Sequence, residues 1–245
     1  MSTAASRILA HLEVVAAERA ARAGNPALEA RVVSLKRYQQ ARFRRGYGDL
    51  LESPRYGAAA RFFLEELYGP DDFSDRDAQF ARIVPALVRL FPDEIVATVE
   101  TLGALHALSE RLDSRMAASL GDGPIHAAAY ARAWQATGEP ALREDQVRLT
   151  LAVGRALDGF TRNPVLRHSL KLMRGPARAA GLAALQAFLE RGFEAFRSMR
   201  GADAFLEGVA RRERALMGRL FEVESPAGDD VPIAQGADDP LVQLP

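Results

Sequence analysis

The sequence predicts an all-α fold, an irregular bundle of about nine or ten helices that ends in an acidic C-terminal tail. Three observations carry that expectation: helix start and stop signals recur at short intervals, apolar residues return every third or fourth position, and strand signals are nearly absent.

The elements follow in order from these signals. Asn25-Pro26, Ser53-Pro54 and Asn163-Pro164 each pair a capping side chain with proline at the first helical position, where a missing N–H costs nothing. Ser74 and Asp77 resemble a capping box. Gly24, Gly69-Pro70, Gly121-Asp122-Gly123-Pro124, Gly175-Pro176 and Gly201 supply the breaks. The helices so defined lie near 4–22, 26–51, 54–68, 75–91, 93–120, 125–137, 140–162, 164–173, 176–200 and 202–223, in a single all-α domain over residues 1–223. Pro85 falls inside one of them and predicts a kink or break near 81–84. In the helix near 176–200, Leu182, Leu185, Leu189, Phe193 and Phe196 form an apolar stripe that reads as core. Residues 224–245 combine prolines, glycines and acids, and are expected to form a disordered tail.

Composition narrows the class. A chain of 245 residues with 48% hydrophobic residues has enough apolar material to bury a sizeable core. There is no cysteine, which excludes a disulfide framework, thiolate metal sites and thiol nucleophiles, and suits a reducing compartment. No apolar run approaches the roughly 18 residues of a membrane span, and the first dozen residues lack the pattern of a secretory signal. A cytoplasmic location without membrane insertion is therefore expected. The formal net charge of zero conceals an asymmetry: no basic residue follows Arg219, whereas Glu222, Glu224, Asp229, Asp230, Asp238 and Asp239 leave the body basic and the tail acidic. Only Lys36 and Lys171 are lysines, an arginine bias that suits anion recognition. A GC-rich coding sequence accounts for the same bias and for the alanine excess.

The stretch Arg61-Phe62-Phe63-Leu64-Glu65-Glu66-Leu67-Tyr68-Gly69, with Asp75-Arg76-Asp77 and Ile83-Val84-Pro85-Ala86-Leu87 after it, resembles the signature of the bacterial FFLEELY motif proteins over most of residues 35–220. The resemblance implies no activity, cofactor or partner and carries over no functional residue. Physically, Phe62, Phe63, Leu64 and Leu67 cover most of the helix circumference, so Glu65 and Glu66 are expected to be partly buried and to need partners.

Two constellations are chemical candidates. On the helix near 93–120, Ile95, Val99, Leu102, His106, Asp113 and Leu120 share one stripe, with Glu110 at its margin. Together with Glu65 or Glu66, this cluster has the residue types of a metal site in a helical bundle. Against that, no Glu-x-x-His pair and no second histidine accompany it; the alternative is a core histidine and a buried ion pair with Arg82 or Arg61. The second candidate is residues 31–47, where six basic residues occur with Tyr38, Phe43 and Tyr47 and no acid. Arg31, Arg42 and Arg45 fall on one edge and suit phosphate binding; arginines lying along the border of a buried face give the same pattern.

Phosphate loops, nucleophile elbows, HExxH and EF-hand patterns are absent from the sequence. The leading expectation is a non-enzymatic cytoplasmic binding or adaptor protein with an anionic or a protein partner. The alternatives are a metal- or haem-dependent helical enzyme using His106, Glu110 and Asp113, and a nucleic-acid or polyanion binder through the basic helix 26–51. The ligand, any cofactor and the oligomeric state are not legible at this level.

Overall fold

The computed structural model describes residues 3–67, 74–224, 233–234 and 236–245, and within them the protein is helical with no strand. In chain order the helices are α1 (Thr3–Ala23), α2 (Pro26–Gly46), α3 (Gly48–Glu52), α4 (Gly57–Phe62), α5 (Ser74–Leu90), α6 (Asp93–Ser119), α7 (Ala127–Thr137), α8 (Pro140–Thr161), α9 (Pro164–Leu172), α10 (Arg174–Ala179), α11 (Ala183–Ser198) and α12 (Asp203–Glu222). A π-helical turn, Phe63–Leu67, continues α4, and a 3-10 turn, Pro240–Gln243, lies near the end.

The capping logic explains most starts. The Asn25 side chain accepts from Leu28 N–H, that of Asn163 accepts from Val165 N–H, and Pro26 and Pro164 each follow. Ser53 Oγ accepts from Arg55 and Tyr56 N–H, yet a turn intervenes before α4 begins at Gly57. The helix expected over 26–51 is divided at Tyr47, which leaves helical geometry and is fully buried. Its hydroxyl donates to Glu213 at 2.6 Å, and the flanking Gly46 and Gly48 have low helix propensity. The helix expected over 176–200 is likewise two, separated at Gly181, whose φ of 70° suits glycine. Helix α5 runs through Pro85 without a break.

Helix α6 is the axis of the bundle, roughly 40 Å long at 1.5 Å per residue for its 27 residues. Helices α1, α2, α5, α7 and α8 all pack against it. The buried apolar residues form three clusters. One joins α1, α5 and the start of α6 through Ile8, Val84 and Val96. A second joins the α4 region to α11 and α12 through Phe63, Phe196 and Phe205. The third joins α2, α7 and α12 through Leu35, Tyr130 and Leu220. Close approach favours glycine at several points, among them Gly57, where a Cβ would meet the Leu51 carbonyl oxygen at 2.7 Å, and Gly192 of α11, where one would meet Phe62 at 2.8 Å.

Of the tail expected over 224–245, residues 224, 233–234 and 236–245 are described. Ile233, Leu241 and Leu244 are buried in the third cluster, and Asp239 pairs with Arg219 at 3.3 Å. Spaced apolar side chains find a groove there, and the basic face of α2 meets the adjoining polar groups. Residues 225–232 and 235 of the expected tail lie outside the described residues.

Candidate functional site

The apolar face of α6 does carry its ionisable residues inward, and the structure shows what each one meets. Glu110 is 3% exposed. Its Oε1 accepts from Lys36 Nζ at 2.7 Å and its Oε2 from Arg22 Nη2 at 2.7 Å. Arg22 also donates to Glu29 and to Ser114 Oγ. Burial alone would raise the Glu110 pKa, but the two cations outweigh it and hold the carboxyl at about 2. One turn on, Asp113 behaves oppositely: burial pushes its pKa up, although Gln39 Nε2 donates to it at 3.2 Å. One turn back, His106 Nε2 lies 2.9 Å from Asp77 Oδ2, which also pairs with Arg19 at 2.9 Å. Burial opposes ionisation of Asp77, and His106 and Arg19 reverse that and depress its pKa.

The partners therefore differ from those expected. Arg61 donates to the Leu51 carbonyl and Arg82 to that of Gly181; the cations at Glu110 and Asp77 come from α1 and α2. Glu65 is exposed, contrary to expectation: Phe62 at the end of α4 and Phe63 and Leu64 of the π-helical turn are buried, and Glu65 is left outside. Glu66 is half-buried and pairs with Arg191 at 2.7 Å. Neither glutamate joins the α6 cluster, and among the described residues no three His, Asp or Glu side chains converge as metal ligands.

The arginines singled out on α2 face internal acceptors. Arg31 donates to the carbonyls of Gly121 and Gly123, where it secures the turn after α6. Arg42 is buried and donates to Glu213 at 2.9 Å and to Gln243 Oε1 at 3.1 Å. Arg45 donates to the Leu244 carbonyl, beside Tyr38, whose hydroxyl donates to that of Pro245 at 3.4 Å. This edge holds the end of the chain.

His106, Glu110, Asp113 and Arg42 line one interior cavity of about 260 Å³, enclosed by α2, α5, α6, α7, α8, α11 and α12. Its wall is mainly apolar, with Phe80, Leu102, Leu185 and Phe188 along one stretch, and it reaches the surface where Leu189 is 42% exposed. At the other stretch the wall is polar and aromatic, made by Tyr130, Trp134, Arg143 and Gln146. The Arg143 guanidinium lies over the Trp134 ring, 3.9 Å from its centroid. Four buried side-chain nitrogens have no hydrogen-bond partner among the described residues; three of them, Arg42 Nε, Arg143 Nε and Trp134 Nε1, belong to this wall. Such orphaned donors are rare in a packed interior.

Residues 18–227 match the family described as Domain of unknown function (DUF8198). The chain belongs to that family. No curated protein and no solved structure matches this DUF8198 member. None of the described helices is long and apolar enough to cross a membrane.

Sequence reasoning missed Arg143 and Trp134, although a signal for the first was present. Arg143, Gln146, Val147, Thr150, Leu151 and Gly154 recur at three and four along α8, so a helical projection places an arginine on the buried stripe. Arg22, in the last turn of α1, continues the stripe of Ile8, Leu12, Val15 and Arg19, and Lys36 shares a face with Val32, Gln39 and Phe43, so periodicity turns both inward; their meeting with Glu110 depends on how α1 and α2 dock onto α6.

Proposed function

We propose that this protein is a non-enzymatic, cytoplasmic binding protein that holds a small amphipathic molecule in the cavity beside α6. The observation that carries the reading is the combination of a mainly apolar hollow of about 260 Å³ with a buried guanidinium on its wall, Arg143, that makes no ion pair among the described residues. An engineered cavity of about 150 Å³ is enough for benzene. By that ratio this hollow holds roughly ten non-hydrogen atoms. The sequence suggests an anionic partner and offers the arginines of α2 as one place for it; the cavity is the place proposed here. The resemblance of residues 61–69 to the FFLEELY motif proteins, and hence a bacterial setting, belongs to the same reading.

The chain has one tryptophan, and it lines the cavity, so its emission reports directly on occupancy. Medium-chain amphiphiles are expected to shift Trp134 fluorescence and raise the melting temperature saturably. Ser109→Phe, which fills the hollow from α6, is expected to abolish both effects. A wild-type protein indifferent to neutral, anionic and cationic amphiphiles alike would sink the proposal.

A further inference from the structure

We infer that the cavity takes a monoanionic amphiphile, a single carboxylate on an apolar chain, with the Arg143 guanidinium as its receptor. The inference rests on the binding role proposed above and specifies its ligand. Three buried arginines make the argument by contrast. Arg22 meets Glu110 and Glu29, and Arg42 meets Glu213. Arg143 is 4% exposed and has no carboxylate within ion-pair distance among the described residues. A guanidinium has five N–H donors. Those of Arg143 find only Gln146 Oε1 at 3.4 Å and the Met116 sulfur at 3.7 Å, both weak.

A buried cation is expected to be paired, because desolvation is otherwise uncompensated. The nearby Asp113 does not fill that role well, since it makes no ion pair with Arg143 and accepts instead from Gln39 Nε2 at 3.2 Å. Burial pushes the Arg143 pKa down, and Tyr130 and Asp113 offset it only in part. The planar fork of arginine matches a carboxylate in two parallel hydrogen bonds. Trp134 stacks beneath the guanidinium and restricts its orientation. Beyond this end, Leu102, Phe80 and Phe188 offer an apolar path for a chain. Glu213 lines the same cavity and disfavours a dianionic head.

Calorimetric titration of the full chain at pH 7 with octanoate, 1-octanol, octylamine and octyl phosphate separates the possibilities, with the melting temperature as second readout. Octanoate is expected to bind at least tenfold more tightly than octanol, octylamine more weakly than either, and octyl phosphate no better than octanoate. Arg143→Met should erase the preference for octanoate over octanol; Arg143→Lys should keep part of the preference. Equal binding of octanoate and octanol to the wild type overturns the receptor role and leaves the cavity reading standing. A preference for octyl phosphate or octylamine overturns the choice of head group. Binding of none of the four overturns the binding role itself, and this inference with it. Should Arg143→Met fail to fold, the head-group ranking in the wild type and in Arg143→Lys decides.

Discussion

Glutamine in place of Glu110 keeps the volume of the side chain and removes the charge that Lys36 and Arg22 share. Two routes give the size of the effect. Removing one partner of a buried ion pair typically costs about 3–5 kcal/mol, because the remaining charge is left uncompensated. Independently, a carboxyl moved from the ordinary 4.5 to about 2 contributes about 3 kcal/mol at neutral pH, at 1.36 kcal/mol per tenfold change in proton affinity. Both point to about 3 kcal/mol, which for a chain of this size lowers the melting temperature by about 6–12 °C. The folded-state pKa is depressed, so the contribution is fully present above about pH 4.5 and is lost as the pH falls toward about 2. Urea unfolding of wild type and Glu110→Gln at pH 7, 5, 4 and 3 reads both features. The gap between them should narrow as the medium becomes acidic, and Lys36→Met added to Glu110→Gln should recover part of the loss. A variant within about 1 kcal/mol of the wild type at pH 7, with a gap that stays constant down to pH 3, refutes the account.

Three further outcomes follow from the same contacts. Arg42→Gln, which leaves Glu213 with the Tyr47 hydroxyl as its donor and releases Gln243, should cost about 2 kcal/mol in chemical denaturation; a neutral effect would place Arg42 on the surface after all. Leu241→Ala should cost about 2 kcal/mol, the low end for a buried leucine because a weakened chain end can detach, whereas a freely solvated tail would show no change. His106→Ala should cost only about 1 kcal/mol, since Arg19 still pairs with Asp77; a loss of several kcal/mol would mean that His106 carries the interaction alone.

The helical fold, its start signals and the inward face of α6 were legible in the residues themselves. Asn25-Pro26 and Asn163-Pro164 act locally, and local signals survive whatever the chain later packs against. Periodicity placed His106, Glu110 and Asp113 toward an apolar interior, because side-chain direction on a helix is a local property. What periodicity does not contain is the identity of the facing element. The cations at Glu110 come from residues about 74 and 88 positions away, and no pattern within α6 distinguishes them from Arg61 or Arg82. The same holds for the end of the chain. Its acids and prolines read as a solvated tail, and only the groove beside α2 and α12 gives Leu241 and Leu244 somewhere to bury. The cavity is the clearest case: Arg143 and Trp134 are nine residues apart on two helices, and it is the turn at Gly138 and Glu139 that brings guanidinium over ring. Composition and periodicity determined that the chain is helical and which faces turn inward. Which charges meet, which donors stay unpaired and where the hollow lies were decided by helix docking, because those depend on distances between segments remote in sequence.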